Sequence, residues 1–389
     1  MIRIAYDDAI MAITAATAGK AHLAQVLRWS AERDVAAIEA VAAGLGMATP
    51  VAIGAGCGHL AAGLAASLGG LVVGDAPPGP STKLHLHRLA GVLAPAVIAT
   101  IAATLAAGHG WLTVALGIGL AVAAATVGGY SRGLAVAALR FVLVLVLTGN
   151  AADATAHPAG LLVLVLAGAL GAAAISFVLG ALPGPHRRTM LPPADPGAVV
   201  EGGSSAGTSA TSAQKYARWK RMLAERAGWQ YALRLAGCLG IAAVARHAWP
   251  DHHLHWIALV VAILTQRQLE PLPIKATQRS LGTVLGVAAA SLVVAYRPPI
   301  WLLVAVIGVL AGLRPLLKAR SYLAYTAVIT PLIFLIMGAD RPLGAGLLLD
   351  RLIATLAGAG LVVAANLLAA RWLAALPKPT AGAGRVTRR

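Results

Sequence analysis

Apolar runs about 20 residues long recur along this chain, and a run of that length without strict alternation reads as a helix able to cross a bilayer. Twelve can be distinguished. In the first half they lie at 34–53, 55–74, 87–108, 111–128, 131–149 and 158–182. In the second they lie at 229–247, 255–268, 274–296, 300–317, 321–338 and 343–373. The run at 255–268 is short for a full crossing, and only the break Gly54-Ala-Gly56-Cys57-Gly58 divides the first two. Hydrocarbon offers no water to backbone groups, so spanning segments are helices or closed barrels. The run length and the lack of alternation exclude the barrel. Apolar residues make up 59% of the chain and charged residues 12%, too few to cover a soluble domain. The fold class that follows is an all-α polytopic membrane protein of about 12 transmembrane helices.

Lysine and arginine set the expected orientation. With the N-terminus placed inside, 25 of the 31 fall in cytoplasmic segments, and only Arg246, Arg297 and Arg341 fall outside. Arg140, Arg234 and Arg351 lie within spans. This bias puts both termini in the cytoplasm of a multi-pass protein of the inner or plasma membrane. It also accounts for the net charge of +17 without a nucleic-acid partner. Residues 1–33 carry Asp7, Asp8, Lys20, Arg28 and Arg33 and read as a cytoplasmic or interfacial segment rather than a cleaved signal. Residues 183–228 read as a flexible basic linker and 374–389 as a basic cytoplasmic tail. The end of the linker, Lys215-Tyr-Ala-Arg218-Trp-Lys220-Arg221, reads as a positive-inside flank, with contact to anionic headgroups as the alternative.

The halves match each other at nearly constant offsets. Ala31-Glu32-Arg33 corresponds to Ala224-Glu225-Arg226, Arg88-Leu-Ala-Gly91 to Arg279-Ser-Leu-Gly282, and the span ending at Gly149 to the one ending at Gly338. Six runs per half bring both halves in from the same side. The expectation is therefore two parallel six-helix repeats, 34–182 and 229–373, about an axis along the membrane normal.

No soluble catalytic motif is present. Gly19-Lys20 lacks the glycine spacing and the Ser/Thr of a phosphate loop. There is no CxxC, no HExxH and no Gly-x-Ser-x-Gly, so neither an enzyme nor a cofactor is indicated. Cys57 and Cys238 read as small buried hydrophobes. Charges inside apolar spans are more informative, because each is costly unless paired or wet. Arg140, Arg234 and Arg351 read as lining a path for an anion, since guanidinium stays charged and grips carboxylates with two donors. Structural pairing or snorkelling is the alternative. Glu39 and Asp350 are the acids well inside spans, and either a coupling proton or a salt bridge such as Glu39 to Arg234 would explain them.

The outer loop Trp249-Pro-Asp251-His252-His253-Leu-His255-Trp256 reads as solvated and interfacial, its spacing fitting no standard metal site. His85 and His87, flanking Arg88, are read in the same way. Tyr322 and Tyr325 share a helical face, as an interfacial belt or as a platform for an aromatic substrate. Gly282-x-x-x-Gly286 and Gly308-x-x-x-Gly312 predict close helix approach, and Pro331 predicts a break or bend.

Taken in order, Arg234-Leu, Trp256-Ile-Ala-Leu-Val-Val-Ala-Ile-Leu-Thr, Gln268-Leu-Glu-Pro271, Arg279-Ser-Leu-Gly282-Thr283-Val-Leu-Gly286 and Asp350-Arg351 with Gly358 form a pattern. It resembles the second half of the chain, over roughly 229–373, to the fusaric acid resistance and aromatic acid exporter superfamily, which is similar in fold to the aluminium-activated malate channels of plants. The first half matches less well, with Val92 and Pro95 in place of Thr and the second Gly. The resemblance implies export of aromatic or other weak organic acids. It adds Arg279 to Arg140, Arg234 and Arg351 as anion-binding residues, with Tyr322 and Tyr325 beside the substrate and Asp350 or Glu39 coupling protons. The expected partners are small organic anions and the bilayer, with a homo-oligomer or a periplasmic partner left open. A passive arginine-lined channel and a non-transporting envelope protein are the competing readings.

Overall fold

The computed structural model describes residues 22–30, 35, 37–74, 81–153, 155, 157–181, 211–267, 272–296, 298–338 and 345–375. Among them the regular elements are helices. The first half comprises α1 (Ala37–Gly56), α2 (Leu60–Val73), α3 (Thr82–Ala106), α4 (Trp111–Val127), α5 (Arg132–Asp153) and α6 (Pro158–Ala181). The linker contributes α7 (Ser212–Ala224), followed by a 3₁₀ turn at Arg226–Trp229. The second half comprises α8 (Gln230–Ala248), α9 (His255–Leu264), α10 (Leu272–Tyr296), α11 (Ile300–Arg320), α12 (Tyr322–Gly338) and α13 (Ala345–Ala375). The motif Gln268-Leu-Glu-Pro271, the start of the N-terminal segment, the middle of the linker and 376–389 lie outside the described residues.

Each apolar run is a helix, yet length and composition qualify six for crossing a membrane: α1, α3, α5, α6, α11 and Gly346–Ala375 of α13. Helices α2, α4, α9 and α12 are apolar but only 10–17 residues long. With 10 residues, α9 extends about 15 Å, roughly half of a hydrocarbon core. Large apolar side chains stand on the outer surface, among them Leu105, Val163, Leu292 and Leu368, as lipid-facing positions require.

Several boundaries differ from the sequence reading. Helix α1 runs through Pro50 and Gly54 to Gly56, and the chain turns only at Gly58, whose φ of 74° suits a residue without Cβ. Cys57 is exposed in that turn, whereas Cys238 is buried in α8 as expected. Helix α12 is continuous through Pro331, which removes only the ladder bond to Ala327 O. Helix α11 continues through Pro315 to Arg320. Arg314 and Arg279, both counted with the cytoplasmic flanks in the sequence, are therefore fully buried within helices.

The packing pairs recur seven helices apart, six per half with the linker helix α7 between. In the first half α1 packs on α2 and α6, α2 on α6, and α3 and α4 on α5. In the second α8 packs on α9 and α13, α9 on α13, and α10 and α11 on α12. Between the halves α1 meets α11 and α8 meets α4, while α5 meets α9 and α12 meets α2. Glycines make the tightest seams. A Cβ on Gly44 would stand 2.8 Å from Gly308 O, and one on Gly312 would stand 3.0 Å from Ala40 O, so α1 and α11 touch through backbone. Gly282 and Gly286 bring α10 equally close to Thr326 and Thr330 of α12.

One end of the bundle is capped by segments from outside the two halves. Gln278 donates to Val26 O at 2.9 Å and Ser30 N to Arg320 O at 2.8 Å, so residues 22–30 sit on α10 and α11. Helix α7 begins with a capping box between Thr211 and Gln214. Trp219 of α7 donates to Thr126 O at the end of α4, at 2.9 Å. The basic, aromatic end of the linker is thus an ordered helix docked on the protein.

Candidate functional site

The motif Arg279-x-x-Gly282-Thr283-x-x-Gly286 lies on one side of α10, since positions three and four apart share a helical face. The glycines admit α12, and Arg279 and Thr283 are carried into the packed interior beside them. From α13, held against α9 where Gly358 meets Val260, Arg351 enters the same region. Arg279 and Arg351 are each 1% exposed, and the charge that Arg351 feels is that of Arg279.

These guanidinium groups lack the partners that burial normally demands. Arg351 Nη1 and Nη2, and Arg279 Nε and Nη2, have no hydrogen-bond acceptor among the described residues. Thr283 Oγ1 and Trp256 Nε1 are likewise buried without a partner there. The compensation on hand is aromatic. The Arg351 guanidinium lies 3.8 Å from the centre of the Trp256 ring, and Phe334 of α12 packs on that indole at 6.3 Å. Two like charges placed together in a medium of low polarity repel strongly and strand their donors. A bound carboxylate answers both deficits, because it supplies negative charge and up to four lone-pair sites.

Asp350 precedes Arg351 but points elsewhere. Its carboxylate accepts from His252 Nδ1 at 3.0 Å, from His253 Nδ1 at 2.9 Å and from the His253 backbone N–H at 3.0 Å. The histidine loop, read from the sequence as solvated, is therefore tied to α13 through a buried acid. Among the described residues no group of three or more potential metal ligands occurs.

The other expected residues are distributed around the molecule. Arg234 donates to Gln230 O at 3.3 Å, to Gln266 O at 2.7 Å and to Asn366 Oδ1, which ties α8 to α13 and to the turn after α9. Those bonds, and not Glu39, satisfy it. Glu39 is half-buried in the first turn of α1. Arg140 donates to Gly91 O at 3.5 Å within the α3–α5 pair. Tyr322 and Tyr325 stack with centroids 6.0 Å apart at the start of α12, and Lys318 stands 5.9 Å from the Tyr325 ring. Nine residues, about 14 Å of helix, separate Tyr325 from Phe334, so the tyrosine pair stands more than two turns from the Arg351–Trp256 stack. His85 is buried and stacked on Phe177 rather than solvated.

Sequence reasoning named Trp256 and Thr283 only as parts of a motif. The one signal for Trp256 was an aromatic at the start of an unusually short apolar run, and for Thr283 a hydroxyl one turn beyond an arginine.

No curated protein and no solved structure matches the chain. The second half is different. Over residues 237–365, which contain α9 to α12 and the Arg279, Arg351 and Trp256 positions, the chain matches the family described as fusaric acid resistance protein-like.

Proposed function

We propose that this membrane protein moves organic, chiefly aromatic, carboxylate anions outward across the inner or plasma membrane, and that Arg279 and Arg351 hold the anion. The observation that carries this reading is the pair of fully buried guanidinium groups within reach of each other's charge, with donors unanswered by the described residues. Trp256 offers a ring face beside the charge, which favours an aromatic acid over a small inorganic anion. The halves act as parallel repeats with both termini in the cytoplasm. The recurrence of packing pairs seven helices apart, in α1–α6 and again in α8–α13, supports that arrangement. Asp350, adjacent to Arg351 and held by two histidines, couples transport to protons. Arg140 lines the first-half part of the path, with Glu39 and the Tyr322–Tyr325 pair shaping its inner end, while Arg234 holds α8 to α13 beside it.

Reconstitution tests the reading. Proteoliposomes holding a fluorescent aromatic carboxylate receive a pH step, and Arg279→Gln and Arg351→Gln are compared with the parent. Flux that follows the step and is lost in both variants supports the exporter. Flux that follows voltage and ignores both pH and Asp350→Asn identifies a passive channel. No flux under either drive leaves an envelope protein without transport.

A further inference from the structure

A cavity of about 120 Å³ lies between the halves, enclosed by α3, α4 and α5 on one side and α8 and α9 on the other. A closed cavity of roughly 150 Å³ accommodates benzene; this one is somewhat smaller but opens at the Arg246–Asp153 rim, so a single ring fits with its substituent standing in the rim. The space exists because α4 and α5 present glycines. A Cβ on Gly117 would meet nothing within 4 Å, and one on Gly149 would meet only Ala103 Cβ at 4.0 Å. The wall is apolar, formed by Ala103, Leu145, Val146, Leu239 and Ala242. The rim is polar. Arg246 Nη2 donates to Asp153 Oδ2 at 3.1 Å and Nη1 to Asn150 Oδ1 at 3.3 Å. The side chains of Arg246 and Asp153 are 37% and 21% exposed, so both can be reached from outside.

We propose that this cavity binds an uncharged single-ring amphiphile, a phenol or the protonated form of an aromatic acid. The charge of the rim selects the neutral form. Arg246 is matched by Asp153, so the pair offers no net attraction to an anion, and a carboxylate would meet Asp153 at close range. A hydroxyl suits it better: it donates to the Asp153 carboxylate and accepts from the Arg246 guanidinium while the ring fills the apolar wall. The site is separate from Arg351. His255 lines the cavity, and its ring stands 4.8 Å from that of Trp256, which carries Arg351. His255 thus lies within electrostatic reach of Arg246 and of Arg351. Val114 and Ile118 are shared with an apolar groove between α4 and α8 that includes Trp111, Ile241 and Val244. A neutral ring can pass along such a groove into lipid, whereas a carboxylate would be held back by its hydration.

The test uses the full chain in phospholipid nanodiscs, with 4-fluorophenol and 4-fluorobenzenesulfonate as probes followed by fluorine NMR. In the parent, 4-fluorophenol binds and the sulfonate does not displace it. Gly117→Leu fills the cavity and Asp153→Asn weakens the acceptor. Each lowers phenol affinity roughly tenfold or more while leaving sulfonate binding unchanged. If Gly117→Leu fails to fold, Asp153→Asn decides the matter alone. Phenol binding that survives a folded Gly117→Leu, or displacement by the sulfonate, overturns the site. So does binding in detergent that vanishes in phospholipid, where an acyl chain would be the occupant. Phenol binding without any sulfonate binding supports the cavity while sinking the anion site at Arg279 and Arg351.

Discussion

The guanidinium carbon of Arg351 stands 3.8 Å above the centre of the Trp256 ring, while the acid next to it in sequence, Asp350, turns to His252 and His253. A π face returns about 2 kcal/mol to a desolvated cation, less than the several kcal/mol that burying an ion costs. The protein therefore holds Arg351 at a net expense in stability, and that imbalance can be measured.

Arg351→Met should leave the unliganded protein as stable as the parent or about 1–4 kcal/mol more stable, since an apolar side chain of similar volume replaces an uncompensated charge. Benzoate should raise the melting temperature of the parent and leave that of this variant unchanged. Thermal melts with and without benzoate measure both effects. A destabilised variant that still responds to benzoate would refute the assignment.

Asp350→Asn keeps the shape of the side chain but removes the charge that three donors address. A loss of about 1–3 kcal/mol is expected, because bonds to charged groups are the stronger ones. In proteoliposomes, carboxylate flux through this variant should persist under an imposed voltage and stop responding to a pH step. A response to pH equal to that of the parent would remove Asp350 from coupling.

Arg234→Ala should act on folding rather than on recognition. It removes the bonds to Asn366 Oδ1 and Gln266 O at the junction of α8, α13 and the turn after α9, at a cost of about 2–3 kcal/mol. Denaturation should report that loss, while KM for transport in the protein that does fold should stay near the parent value. A selective rise in KM would instead place Arg234 on the anion.

Gly286→Val should be among the most damaging single changes. Its Cβ would lie 2.6 Å from Thr330 Cβ and 2.9 Å from Ala327 O, and the backbone of α12 cannot step aside cheaply. Overpacking of this kind costs about 1–3 kcal/mol. Gly171→Ala, on a face of α6 with nothing within 4 Å, should gain about 0.5–1 kcal/mol of helix propensity. Comparing the two by thermal denaturation separates contact from composition.

The fold was legible where hydrophobic length carried it: each apolar run became one of α1–α6 and α8–α13, with ends displaced by up to about five residues. The glycine spacings at 282/286 and 308/312 foretold close approach correctly. Charges at run ends were harder to read. A snorkelling arginine and one drawn into the interior occupy the same place beside an apolar stretch, and for that reason Arg279 and Arg314 were counted with the flanks. Trp256 resembled an interfacial tryptophan because nothing local announces the arginine 95 positions later that lies against it. The bonds from His252 and His253 to Asp350 span nearly 100 residues and have no local signature. The Arg246–Asp153–Asn150 cluster joins the two halves and is visible only once they are packed.

Two of the lines along which the halves meet differ mechanically. Where α1 crosses α11, backbone lies on backbone at Gly44 and Gly308, and Met47 and Val51 pack with Ile307 and Ala311 beside that contact. Such a close, packed contact resists separation and acts as a pivot. Where α4 faces α8, Gly237 has open space beside it and the helices leave a furrow lined by Ile118 and Ile241. Any rocking of one half on the other would turn about the first line and be felt as opening or closing at the second. The lateral pressure of the surrounding lipid, which acts on that furrow, would then be a load against which the protein works.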